Sequence, residues 1–147
     1  MRERKYRAWV KEKSYFLPVF ELDFHAKMVG VWDCGKEDCG LCDNYLFFHE
    51  VEIVEYTGLK DKNGVEIYEG DIINCHIVTP KKNWKELKKV EYDEDMARFA
   101  AVSLDGNHWS SLPSNVAFNL NPVRIDKCEV IGNIYENPEL LKEEPTC

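Results

Sequence analysis

Residues 56–73 read YTGLKDKNGVEIYEGDII, and almost every position in them has a backbone task. Asn63-Gly64 is the dipeptide that a type I′ hairpin turn wants, because both central residues need positive φ, which costs Asn little and Gly almost nothing. Strand-forming residues flank it on both sides. Glu69-Gly70-Asp71 marks a second turn, and Ile72-Ile73 resumes a strand. Two turns this close together predict short antiparallel strands.

Working outward, residues 45–56 (YLFFHEVEIVEY) are rich in β-branched and aromatic residues and predict the strand that enters the first turn. Tyr6, Ala8 and Val10 alternate with Arg7, Trp9 and Lys11, the period-two pattern of a strand with one face on a core and Trp9 on the charged face. Residues 14–24 (SYFLPVFELDF) are broken by Pro18 and predict an edge strand or irregular arm. Residues 30–43, with three glycines and three cysteines, read as a loop.

Downstream, residues 72–78 predict a strand closed by Pro80, residues 81–88 a loop or short helix, and residues 89–92 and 96–104 two strands around the acidic tip Asp93-Glu94-Asp95. Residues 123–125 and 128–135 supply the last strands. Asn137-Pro138-Glu139 then reads as an N-cap, a first-turn proline and an early acid, opening a short C-terminal helix. Many short strands at close turn spacing predict a mainly β fold, a small barrel or sandwich. The 147 residues suit one domain, with residues 1–43 as an extended N-terminal arm and cysteine loop and residues 44–141 as the core.

A net charge of −8 argues against a general nucleic-acid binder, because a phosphate backbone would meet an unfavourable long-range field. The charge is uneven, however. Arg2, Arg4, Lys5, Arg7, Lys11 and Lys13 stand against only Glu3 and Glu12, and Lys81, Lys82, Lys85, Lys88 and Lys89 against Glu86. Both stretches read most simply as solvated surface. No apolar run approaches the roughly 20 residues that cross a bilayer, and the N-terminus lacks the apolar core of a signal peptide. A soluble cytoplasmic chain with no membrane partner is expected, its six cysteines as reduced thiols.

Arg7-Ala8-Trp9, residues 57–64 (TGLKDKNG), residues 67–72 (IYEGDI) and residues 130–140 (VIGNIYENPEL) together resemble the YopX family of phage and prophage proteins. The strings keep order and spacing over almost the whole chain, leaving residues 15–44 outside them. The resemblance implies an SH3-like β-barrel core in a phage-encoded protein of the bacterial cytoplasm. It implies no reaction, cofactor or catalytic residue.

The sharpest chemical lead is Cys34-x4-Cys39-x2-Cys42, since thiolates bunched on one loop share a metal with little chain closure. His49, Cys75 or His25 would be a fourth ligand. Zinc fits this donor set, although structural zinc sites usually come as two spaced pairs and a second pair is missing. Free thiols are the simpler reading. Glu69 with Asp71, and the Asp93–Asp95 tip, offer carboxylates for a hard cation or acid–base work, against plainer roles as turn residues. Cys75 and Cys128 sit in strands, where cysteine is usually a small buried hydrophobe.

The remaining leads are surfaces. Trp9, Trp84 and Trp109, with His108 beside the last, are aromatics near cations and suit a groove for a protein partner or stacking with single-stranded nucleic acid. They equally suit closure of barrel ends. The expectation is a non-catalytic protein-binding or adaptor module, with strand edges open to homo-oligomer formation and nucleic-acid binding or a metal-stapled thiol protein as alternatives.

Overall fold

A computed structural model of the chain describes residues 4–36, 41–78, 80–104, 109–111 and 127–141. It divides into two compact units, Met1–Tyr56 and Thr57–Cys147.

The first unit is an antiparallel sheet of order β4-β3-β2-β1-β5, from β1 (Tyr6–Val10), β2 (Tyr15–Asp23), β3 (Met28–Trp32), β4 (Asp43–Phe47) and the first part of β5 (Val51–Lys60). β1 stands where a strand was expected, β2 where an edge strand or irregular arm was expected, and β3 runs into the start of the stretch read as a loop. The alternation in β1 continues across the ladder. Ala8 faces Leu17 and Ile53, Val10 faces Val51, and Val19 faces Val31. These side chains form one core with Val29, Leu22, Leu46 and Phe48. Pro18 lies inside β2 opposite Arg7, and a register shift between Val19 and Glu21 follows it. That bulge is why Leu22, one step out of phase with Val19, reaches the same core.

In the second unit the end of β5 pairs with β6 (Glu66–Tyr68), and a five-stranded antiparallel sheet runs in the order β10-β9-β8-β7-β11. Its members are β7 (Asp71–Val78), β8 (Asn83–Asp93), β9 (Arg98–Ser103), β10 (Trp109–Ser111) and β11 (Cys128–Asn133). Ile67, Ile73, Cys75, Val90, Phe99, Ala101 and Cys128 form its core, with Leu59, Trp84 and Val130 packed on it. From Asn83 onward the basic stretch expected as a loop or short helix is instead part of β8, where Trp84, Lys88 and Val90 share one face.

The expected SH3-like barrel is not closed. Each sheet ends on two edge strands, and among the described residues β10 and β11 do not pair with each other. Closure needs strand tilt and stagger to return the last strand to the first, and short strands with close turns serve an open sheet equally well. The C-terminal helix is a single 3₁₀ turn over Pro138–Leu141, set by the i+3 bond from Leu140 N–H to the Asn137 carbonyl. The Asn137 side-chain oxygen is not its cap, since it accepts from Asn133 N–H at 3.3 Å.

The turn at Asn63-Gly64 also differs from type I′. Only Gly64 of the pair has positive φ, +81°. Gly64 N–H donates to Asp61 C=O at 3.0 Å, and Asp61 N–H to Val65 C=O at 2.8 Å. This is the three-residue hairpin loop of a turn followed by a left-handed residue. Asp61 overrides the dipeptide preference. Its Oδ1 accepts Asn63 N–H at 2.8 Å and Val65 N–H at 3.0 Å, while Oδ2 accepts Val130 N–H of β11 at 2.9 Å. Burial alone would push this carboxyl's pKa up, but the bonds from Val130, Val65 and Asn63, with Lys62 nearby, bring it below the ordinary carboxylate value.

Asp61→Ala leaves three amides without their acceptor and should cost about 2–4 kcal/mol in urea unfolding. A carboxyl lowered in the folded state stabilises fully above its unfolded pKa, about 3.9, and loses this as pH falls through the folded value. The stability gap between wild type and Asp61→Asn should therefore be widest above about pH 5 and narrow towards about pH 2.

Candidate aromatic binding face

The face of the first sheet opposite its core carries a row of rings. β1 and β2 place Trp9 opposite Phe16, with centroids 5.0 Å apart. The Arg7 guanidinium lies over Phe16, 4.1 Å from its centroid, a cation–π contact that fixes both groups. Further along β2, Phe20 meets Trp32 of β3 at 4.4 Å and Tyr45 of β4 edge-on at 5.8 Å. Such tilted and edge-on geometries are the favourable ones for aromatic pairs.

Gly30 makes this row fit. It faces Tyr45 in the β3–β4 ladder, and a Cβ built there would lie 2.6 Å from Cζ of Phe20. The Phe20 ring occupies the space that a side chain at position 30 would fill. A glycine in mid-strand is thereby covered, and the ring is locked between Trp32 and Tyr45.

Charge is distributed unevenly over this face. A cleft of about 460 Å³ is lined by Arg4, Lys5, Tyr6, Phe20, Glu21 and Trp32. The Tyr45 hydroxyl donates to Glu21 Oε2 at 2.8 Å, and the residue is 45% exposed. This bond, with the charges of Glu21, Asp43 and Asp23 also acting, raises the phenol's pKa above its ordinary value. Cations thus lie along β1 and its approach, and carboxylates surround the β4 end.

Of the residues singled out from sequence, Trp9 belongs to this row. Trp84 is in the second unit, half-buried on its core, with Lys82 4.8 Å over its ring and Nε1 donating to Glu86 at 3.4 Å. Trp109 is in β10, and His108 lies outside the described residues. The three tryptophans are therefore divided between the two units. Phe16, Phe20, Trp32 and Tyr45 were missed as a group. Their signal was the period-two spacing of Phe16, Pro18 and Phe20, which a proline-broken arm obscured.

In the cysteine loop, Cys39 lies outside the described residues, Cys34 is exposed after β3, and Cys42 is half-buried before β4. His49 stacks on Phe47 with centroids 5.5 Å apart. Among the described residues no three metal-ligating side chains come together. The carboxylate leads have turn roles. Asp71 Oδ2 accepts Tyr68 N–H at 2.8 Å, and Asp93 Oδ1 accepts from Asp95 and Met96 while Oδ2 meets Arg98 Nε at 3.3 Å. His76, Lys85, Lys62 and Glu129 border a separate polar hollow of the second unit, where Lys62 pairs with Glu129 at 3.6 Å.

Gly30→Ala should destabilise the chain by about 1–3 kcal/mol, since neither the strand backbone nor the packed ring can yield freely. Combined with Phe20→Ala, which empties that space, the same change should cost well under half as much. Denaturant midpoints of the four chains give the cycle directly.

The comparisons with known proteins cover both units. A crystal structure of protein EF1440 from Enterococcus faecalis is similar at 29% identity, aligned over 97% of this chain and 100% of that one with a TM-score of 0.57. No curated protein matches the sequence. Among the described residues no helix is long and apolar enough to cross a membrane. Residues 5–142 match the family described as YopX protein, and the chain belongs to that family.

Proposed function

We propose that the chain is a non-catalytic binding module whose contact surface for a protein partner is the aromatic face of the first unit. The observation that carries this is the locked row of Phe20, Trp32 and Tyr45 beside a charged cleft. Rings held rigid before binding lose little conformational entropy on contact, which is why aromatic residues dominate binding hot spots.

Charge favours protein over nucleic acid. Arg4, Lys5 and Arg7 would welcome phosphates, but Glu21, Asp23 and Asp43 about Tyr45 would repel a backbone tracking across the rings. A protein segment meets both signs with side chains of its own. Action within a bacterial cytoplasm, from a phage or prophage gene, completes the reading; the similar structure from Enterococcus faecalis supports a bacterial setting.

The test is affinity capture from a host cell carrying the gene, with wild type and a Trp32→Ser/Tyr45→Ser chain compared after circular dichroism shows both folded. A reproducible partner held by wild type and weakened about tenfold or more by the double change is expected. A partner held equally by both chains, or none at all, contradicts the reading. A mobility shift with single-stranded DNA at low salt that the same double change abolishes would replace the protein partner with nucleic acid.

A further inference from the structure

The second unit buries two thiols against each other. Cys75 on β7 and Cys128 on β11 face each other in the antiparallel ladder, and neither has exposed surface. Their sulfurs are 2.6 Å apart. Facing residues on antiparallel strands have Cβ atoms about 4.5–5.5 Å apart, and a disulfide takes about 3.5–4.5 Å, so a bond asks the strands to close by roughly 1 Å. Among the described residues β11 pairs with β7 as its single neighbouring strand, and its outer side is held by two bonds from the turn, Val130 N–H on Asp61 and Lys62 N–H on the Cys128 carbonyl. A strand with one ladder yields more readily than β7, which is held between β8 and β11.

The surroundings keep the pair inert at rest. The contact with Cys128 and burial push the Cys75 pKa far above its ordinary value, so Cys75 is not a standing nucleophile. Lys88, with its side chain only 3% exposed, projects on the same core face, and its Nζ is 3.7 Å from Oε1 of Glu86, which faces Cys75 across the ladder. The positive charge of Lys88 acts on the Cys75 thiol in the opposite direction to its burial.

We propose that Cys75 and Cys128 are a modification site, closing to a reversible disulfide by exchange with a low-molecular-weight disulfide when β11 lifts. Cys128, carried on the edge strand, loses its proton and attacks one sulfur of the small disulfide. That S–S bond breaks and releases one small thiol, leaving a mixed disulfide on Cys128. Cys75 then attacks the Cys128 sulfur, forming the protein S–S bond and expelling the second small thiol. Two electrons pass from the protein sulfurs to the small disulfide, and the two protein protons end on the two released thiols. The bond ties β11 to β7 at the residue whose carbonyl also accepts Lys62 N–H at 3.0 Å. Oxidation would therefore clamp the Asp61 turn and β11 together.

The test uses the full-length chain, fully reduced and then equilibrated under native conditions in glutathione buffers of rising oxidised fraction. Acid quenching, alkylation and peptide mapping follow. The expected result is loss of two hydrogens with a linked Cys75–Cys128 peptide, reversed by dithiothreitol, and an unfolding midpoint raised by about 5–10 °C. A chain with Cys34, Cys39, Cys42 and Cys147 all changed to Ser should form the same link. Cys75 and Cys128 recovered as alkylated thiols from the most oxidising buffer, or found bonded to other cysteines, would overturn the proposal.

Discussion

The carboxylate of Asp61 is the constraint on which the second unit depends. With one oxygen it shapes the hairpin between β5 and β6, and with the other it holds Val130, 69 residues further along the chain. Local turn geometry and long-range strand placement are therefore one interaction. A buried carboxylate is tolerated here because three amides solvate it, replacing the water it gave up. The other strings that carry the family resemblance extend the same join. Gly70 N–H donates to Val90 and its carbonyl accepts Ile134 N–H, while Asn133 Oδ1 accepts from Tyr135 and Glu136. TGLKDKNG, IYEGDI and VIGNIYENPEL are in this sense parts of one clasp, and the aromatic row of the first unit lies outside them.

What the sequence made legible follows period and turn chemistry. The β class, the strand around Ala8 and Val10, the hairpin at Gly64 and the acidic tip at Asp93 were all readable from alternation and turn residues. Closure was not. Whether short strands curl into a barrel or remain open depends on stagger summed over a whole sheet, which no single stretch records. The turn type was missed for a sharper reason. Asn63-Gly64 was weighed by its own preference, but Asp61 two residues earlier offered stronger bonds.

The aromatic face shows the same division. Trp9 was readable because it interrupts a charged stripe, yet its neighbours come from β2, β3 and β4, and only register brings them together. Pro18 masked β2 as an arm, because proline usually marks an edge. Gly30 looked like loop punctuation. Its reason is the ring of Phe20, ten residues away in sequence, whose Cζ end takes the space of a side chain at position 30. Residue pairs of this kind, one side chain absent because another needs the space, leave no local pattern to read.

Amide hydrogen exchange, compared between wild type and Asp61→Asn, tests the clasp most directly. If one carboxylate joins hairpin and β11, the amides of Val65 and Val130 should lose protection together, by about 100-fold, while the β8–β9 ladder exchanges as before. Val130 remaining protected while Val65 exchanges freely would show that turn and edge strand are held independently, and would contradict the account.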